Sequence, residues 1–510
     1  MKLEELVGQR LVIGIPGTRI TPEIVRHFQE LHAGGLILYR RNFDSPGQIK
    51  KLIADLEEGL GRKLLVTTDH EGGRVIMFRD GITVFPDNMA LGGAAKIGYA
   101  RQQGEIEAKE LRRMGVDVNL APVLDVLTEA YSPNIGIRSY GRDWRLVAEM
   151  GAARVAAMQQ GGLSACVKHF PGKGHSPVDA HLGLPVIPST WKEMEAVHLK
   201  PFVTAIQAGV DLVMSSHPYY PKLDPYPNMI ATFSKKIIYD YLRCELNFKG
   251  VITSDDLEMG AIKAICPIGD AGILATQAGH DLLLVCHVPQ AQKEVYDKLV
   301  EAYKGKQIPL KELEKSAARI NSLKLKRAKR FEGGEPGAEP AGAILAARIC
   351  RESVQVLKDE RKLLPLKRGE ASLGVIFPQF SRLDAKIMIE REVLQEQDFL
   401  RHEFKKFGFE PEIHIVSIDP ADAEIQPAVT LARNSDVTIL FCYDAHLYPG
   451  DKKLLDAIQA AAPKLVVDLL RDPYDAAFIQ AGVACLTDFG WRACQIKAAI
   501  EKICSGEMPR

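Results

Sequence analysis

Short, almost unbroken apolar runs recur along the first part of the chain, each ending in a polar or glycine-rich turn. They are "LVIGIPG" (11–17), "GGLILYRRN" (34–42), "LLVTTDHEGG" (64–73) and "VDVNLAPVLDV" (116–126). The series continues with "LSACVKHFPG" (163–172), "VDLVMSSHP" (210–218), "GVITSDDLEM" (250–259) and "HDLLLVCHV" (280–288). Continuous rather than alternating hydrophobicity is the mark of strands covered on both faces, as in a parallel sheet. Between most runs lie stretches with helical spacing. One is "SPGQIKKLIADLEEGLG"; another is "TWKEMEAVHLKPFVTAIQAG", which Ser189 or Thr190 opens as N-cap and Gly209 closes.

Eight strand–helix units in series predict a (β/α)8 barrel of the TIM type, with a doubly wound sheet as the structural alternative. The barrel is favoured because polar residues gather at the C-terminal ends of the strands: Tyr39–Asn42, Asp69–Arg74, Asp125, Lys168–His169, His217 and Asp255–Asp256. Closure would bring all of these to one mouth. The helical stretch "KELEKSAARINSLKLKRAKRF" ends this first domain, expected over residues 1–331. The segment "EGGEPGAEPAG" (332–342), rich in Gly, Pro and Glu, is expected to be a linker. A smaller α/β sandwich is expected over 343–510, opening with a helix "AILAARICRESVQVLK". Its strand candidates are "SLGVIF", "EIHIVSI", "DVTILFCY", "KLVVDLL" and "VACLTDF", and it shows no dense catalytic cluster.

Composition changes this picture little. The 510 residues are 46% hydrophobic and 25% charged with zero formal net charge, so no overall field draws in nucleic acid or an anionic membrane. No run approaches the roughly 20 apolar residues of a membrane span. The N-terminal stretch lacks the apolar core of a signal peptide. Nine scattered cysteines with no C-x-x-C spacing suit a reducing compartment, and a cytoplasmic location is expected.

The chemistry concentrates in "VKHFPGKGHSPVDAHLGLP" (167–185). It is no P-loop, because the glycine spacing before Lys173 is wrong. His169, His175 and His181 stand six residues apart, a spacing that neither helix nor strand puts on one face, and no metal is expected. Lys168 and His169 fall at a strand end, and Gly172 and Gly174 let the chain turn. Asp179 and His181 are two apart, so in an extended loop the carboxylate can hold one imidazole nitrogen and raise its pKa. That makes a proton shuttle working near neutral pH. Asp255 follows directly on an apolar strand and can serve as nucleophile, base or hydroxyl acceptor. Asp256 fits better as a helix cap. Asp69 adds an acceptor and Arg138 a fixed donor fork, and the set suits a polyhydroxylated ligand.

These residues carry a resemblance. "DHEGGRV", "LAPVLDV", "RSYGRD", "KHFPGKG", the "DAH" step and "SKKII…LR…FKGVITSDDLEM" together resemble family 3 of the glycoside hydrolases, most closely its β-N-acetylglucosaminidase branch, which includes the peptidoglycan-recycling type. "ESVQVLKDERKLLPL" is similar, more loosely, to the entry of that family's sandwich domain. The resemblance implies a retaining, exo-acting hydrolysis of terminal β-linked N-acetylglucosamine with no cofactor. It makes Asp255 the nucleophile, His181 the acid/base and Asp179 its partner. Asp69, Arg138, Lys168 and His169 match positions that bind sugar hydroxyls; Arg74, His217 and Met259 are further candidates. Histidine then replaces the second carboxylate of most retaining glycosidases. Lys173 stands where histidine is common, "DAH" replaces the frequent "DSH", and Met77 stands where many recycling enzymes carry an arginine. Two alternatives remain: a phosphorylase, since a histidine repels phosphate less than a carboxylate does, and a non-catalytic sugar-binding protein. β-Glucosidase or β-xylosidase specificity is disfavoured by the "DAH" loop.

Overall fold

The computed structural model describes residues 2–176, 184–327, 334–367 and 372–505. The first eight strands are β1 (Leu11–Gly14), β2 (Gly35–Leu38), β3 (Leu65–Thr68), β4 (Val118–Asn119), β5 (Ser164–Phe170), β6 (Leu212–Ser215), β7 (Val251–Asp256) and β8 (Leu282–Val285). All pair in parallel with their sequence neighbours, and β1 pairs with β8, Val12 opposite Leu284, so the barrel closes. Each strand lies inside one of the eight apolar runs.

The unbroken hydrophobicity has a direct cause. Val12, Ile37, Leu65, Val118, Cys166, Leu212, Val251 and Leu282 pack together in the barrel lumen. Their neighbours Leu11, Ile13, Leu36, Val66, Val167, Val213 and Leu283 pack in the separate cluster that includes the surrounding helices. Both sides of every strand are therefore dry. Ile320 and Leu323 of the helix Leu310–Arg327 join the lumen cluster.

Local signals behave as the physics of helix ends requires. Ser45 accepts from Gln48 N and Thr190 from Glu193 N, each opening its helix. The segment from Trp191 to Gln207 is helical, with a π-helical stretch at Met194–His198, and Gly209 follows at φ 79°.

The second sheet comprises β9 (Gln355–Lys358), β10 (Leu373–Pro378), β11 (Glu412–Val416), β12 (Val437–Cys442), β13 (Leu465–Leu469) and β14 (Ala484–Thr487). Its order is β11-β10-β12-β13-β14-β9, parallel except for β9, which runs antiparallel to β14. Alternate residues such as Phe377 and Ile376 feed two cores, one on each face. The expected helix over 343–358 is corrected here: it runs Pro340–Ser353, and "QVLK" is strand β9. Val354 leaves the helical region, and the run behind it finds an unpaired edge at β14 that local periodicity does not reveal.

The helix Pro340–Ser353 packs on Asn88–Ala94 and Ile97–Met114 of the barrel and on Ala493–Ser505 of the second domain. Buried Arg492 donates from Nε to Gly73 O at 2.7 Å, so the second domain grips the turn after β3. No helix among the described residues is long and apolar enough to cross a membrane.

Candidate active site

The C-terminal ends of β3, β5 and β7, with the segment after β4, deliver the polar groups to one mouth. Lys168, on β5, is 1% exposed. Its ammonium meets Asp69 and lies 2.6 Å from Glu71 Oε1. A buried ammonium is costly unless paired. Burial lowers its pKa, but Asp69 and Glu71 outweigh that and raise it, so Lys168 is charged. Glu71 in turn accepts two bonds from Arg138, at 2.6 and 2.8 Å. Although burial alone raises the Glu71 carboxyl, the cations Arg138 and Lys168 hold it well below the usual carboxylate range. Burial pushes Asp69 up to about 6 against the pull of Lys168. Its side chain is still 25% exposed, an acceptor open to the mouth.

His169 is fixed from one side and presents its other nitrogen. Nδ1 meets Asp125 Oδ2 at 2.7 Å, while Nε2 lies 3.4 Å from Arg138 Nη2 and 4.0 Å from Asp255 Oδ2. Burial, then Lys173, Arg138 and Lys168, hold the imidazole well below its ordinary pKa. It is neutral, with the proton on Nδ1 toward Asp125 and a lone pair on Nε2. The other oxygen of Asp125 accepts from Lys173 N at 2.7 Å.

Asp255, near the end of β7, is 19% exposed at its side chain. Burial pushes its carboxyl up, yet Lys173, His217 and Lys168 together bring it below the ordinary value. The Asp256 N–H also donates to Asp255 Oδ1 at 2.8 Å. Asp255 is thus an ionised carboxylate held by cations and one backbone donor, with an oxygen free to attack or accept.

The remaining candidates divide. His217 sits behind Asp255, with Nδ1 2.9 Å from Thr232 Oγ1 and Nε2 3.0 Å from Asp256 O, so both ring nitrogens are occupied in bracing the end of β7. Asp256 does not cap the next helix, whose N-cap is Met259. Its carboxylate instead accepts from Glu258 N at 3.1 Å and lies 3.2 Å from His287 Nε2. Met259 donates its N–H to Asp256 O at 3.2 Å and is half-buried. Arg74 turns away toward the domain junction, donating to Pro133 O at 2.7 Å. Met77 is buried in the hydrophobic core.

Asp179 and His181 lie outside the described residues, but both flanks of their segment are anchored at the mouth. Gly174 O accepts from Thr128 N and Glu129 N at 3.0 and 3.1 Å, and Thr128 Oγ1 meets His175 Nδ1 at 2.9 Å. On the far side, Tyr219 N donates to Pro185 O at 2.8 Å, in the loop after β6.

Glu71, Asp125 and Lys173 complete the site; the sequence placed Glu71 and Asp125 at strand ends and marked Lys173 as a departure from the family, but gave none of them a role. Glu71 had a signal, since it stands two residues after Asp69 at a strand exit, where extended spacing puts both carboxylates on one side. Asp125 also stands at a strand exit, but its pairing with Lys173 spans two loops and leaves no local signal.

Comparison with known proteins identifies the family. The glycosyl hydrolase family 3 N-terminal domain matches residues 2–323. The chain belongs to glycosyl hydrolase family 3. Among its relatives in this family, a β-hexosaminidase of Nitrosomonas eutropha is 37% identical over 295 residues, covering 57% of this chain and 84% of the relative. A β-hexosaminidase of Idiomarina loihiensis is 34% identical over 340 residues, covering 63% and 98%. The structure of a family 3 β-N-acetylglucosaminidase from Paenibacillus sp. str. FPU-7 superposes with a TM-score of 0.92 at 30% identity, covering 99% of this chain and 97% of that one. That match includes the second domain, so this glycoside hydrolase shares the whole two-domain architecture.

Proposed function

We propose that this family 3 enzyme is an exo-acting, retaining β-N-acetylglucosaminidase that removes terminal β-linked N-acetylglucosamine. Asp255 attacks the anomeric carbon as the aglycone oxygen takes a proton from His181. Water then opens the glycosyl-enzyme, giving its proton back to His181, while Asp179 holds the other imidazole nitrogen. Asp69, Lys168, Arg138 and His169 bind the sugar hydroxyls: a carboxylate acceptor, two fixed cationic donors and a neutral imidazole lone pair cover both directions of hydroxyl bonding. His217 braces β7 rather than touching sugar.

The observation that carries this reading is the ionised Asp255 lying 4.0 Å from His169 Nε2 inside that hydroxyl-binding set. The test is chromophore release from an aryl β-N-acetylglucosaminide by wild type and by Asp255→Ala. Wild type releases the chromophore and the variant does not; full activity in the variant rejects the assignment.

Peptidoglycan-derived fragments in the cytoplasm are the proposed physiological substrates. Nine free cysteines support a reducing compartment, and the β-hexosaminidase relatives support the sugar removed. One observation favours a second reading, transfer to phosphate: the Lys173 charge acts directly on Asp255, where a second anion would arrive. Products formed in phosphate buffer distinguish the two, free sugar supporting hydrolysis and sugar-1-phosphate the phosphorylase.

A further inference from the structure

The second domain brings together a cluster that lies outside the sugar site. Asp444 and His446 follow β12, and Asp472 and Asp475 follow β13; these are neighbouring parallel strands whose C-terminal ends face the barrel. One oxygen each from Asp444 and Asp472 and one nitrogen of His446 lie within 4.8 Å of one another. His446 Nδ1 meets Asp475 Oδ1 at 2.9 Å and Asp444 Oδ1 at 3.3 Å.

The hydrogen bonding around this cluster is incomplete. The Asp472 side chain is 0% exposed, yet neither of its oxygens has a hydrogen-bond partner, and the same holds for His446 Nε2 and Asp444 Oδ1. Arg471 pairs with Asp444 through Nη1 and with Pro133 O through Nη2 at 2.9 Å. Its Nε is 3.8 Å from Asp472 Oδ2, too far for a hydrogen bond. Arg471 therefore bonds one carboxylate and faces the other only as an ion pair at 3.8 Å, without a hydrogen bond. A buried carboxylate with no donor is rare in native structures and points to a missing positive partner.

We infer that Asp444, His446 and Asp472, with Asp475 orienting the imidazole, bind one divalent transition-metal ion at the junction of the two domains. Mixed carboxylate and imidazole donors suit Zn²⁺ and its neighbours rather than Mg²⁺ or Ca²⁺, which take oxygen ligands. Bonds of about 2.0–2.2 Å put ligand atoms roughly 3.3–4.4 Å apart, so small side-chain rotations close the set. A carboxylate on the second nitrogen of a ligating histidine is the usual way to fix its tautomer.

The ion's location links it to the sugar site. The Tyr131 ring lies 4.5 Å from that of His446, and a Cβ added at Gly136 would come within 2.5 Å of Asp472 Oδ1. Pro133 O accepts from both Arg74 and Arg471. These barrel residues flank the stretch that carries Arg138. The ion is a structural clamp on that stretch and takes no part in hydrolysis.

The test uses the full chain, stripped with EDTA and dialysed, then titrated with ZnCl₂ by calorimetry and with CoCl₂ by visible absorption. One equivalent should bind per chain, and Zn²⁺ should raise Tm by about 3 °C. His446→Gln and Asp472→Asn should each weaken binding by at least about 10-fold. Circular dichroism checks that each variant folds; if Asp472→Asn does not, His446→Gln carries the test. The inference is overturned by absence of stoichiometric binding or by wild-type affinity in the folded variants. Binding abolished by Asp255→Asn but kept by the junction variants also overturns it, placing the ion in the sugar pocket. Chromophore release is read separately, so failure here and failure of the glycosidase reading are distinguishable.

Discussion

His169 Nε2 stands 4.0 Å from Asp255 Oδ2, although β5 and β7 are not neighbours and β6 runs between them. Barrel closure makes this approach possible, because residues at strand ends lean inward over one mouth. A neutral imidazole held by Asp125 thereby lies beside a carboxylate kept ionised by Lys173, His217 and Lys168. In the proposed mechanism, one group accepts a sugar hydroxyl while the other attacks carbon.

His181→Ala should lower kcat by about 10²–10⁴-fold on substrates with poor leaving groups. The loss should shrink sharply with nitrophenyl aglycones, which need little protonation. Asp179→Asn should show the same trend with a smaller effect. A leaving-group series run on all three proteins checks this; equal losses across the series would remove His181 from the acid role.

Against the opposing effect of burial, Lys173 is the strongest of the cations that lower the Asp255 pKa. Lys173→Met keeps the apolar stem and removes the charge. Asp255 must be ionised to attack, so losing that cation raises its pKa. The acidic limb of the kcat/KM profile should move to higher pH, by about 0.5–1 unit. An unmoved limb would rule out this electrostatic role.

Glu71 binds both Lys168 and Arg138 while almost fully buried. Glu71→Gln leaves two buried cations short of a partner. It should cost about 3 kcal/mol of stability, read from urea denaturation, and should raise KM through displaced Lys168 and Arg138. A variant as stable as wild type would show that Asp69 alone suffices for Lys168.

Buried Asp69, Asp87 and Asp125 should each add stability as pH falls from 8 to 6. Burial raises the carboxyls of Asp87 to about 7 and of Asp69 and Asp125 to about 6, above the ordinary 3.8. At these three carboxyls the folded state takes up protons in this window and the unfolded state does not, so the penalty of holding their charges is relieved. His70, His169, His198, His217 and His280, held below their ordinary 6.5 by burial, act in the opposite sense, because the unfolded chain protonates them first. Glu71, held below its ordinary 4.5, acts in the opposite sense, and its contribution is lost only in more acidic solution. Calorimetric Tm values of wild type and Asp87→Asn across pH 6–8 isolate the largest of these contributions. The wild type should gain on the variant as pH falls; a constant difference would contradict the assignment.

The eight strands were legible from hydrophobicity because each had to be apolar on both faces, and Asp69, Lys168, His169 and Asp255 were legible because they end such runs. Strand β9 was not, since "QVLK" continues a helical pattern and becomes a strand only against the edge of β14. Asp256 was expected as a helix cap, yet its oxygens serve the turn after β7 and approach the end of β8. A cap is a local signal; contact with the next strand is not.

Local periodicity and strand-end chemistry thus determined the barrel and half of its mouth. Tertiary structure alone decided that Glu71 shares Lys168 with Asp69, that Asp125 aligns His169, and that Arg74 serves the domain junction. It also gathered Asp444, His446 and Asp472, which looked unremarkable along the chain. Sequence spacing encodes which face of an element a residue occupies, and only closure and domain packing set which faces meet.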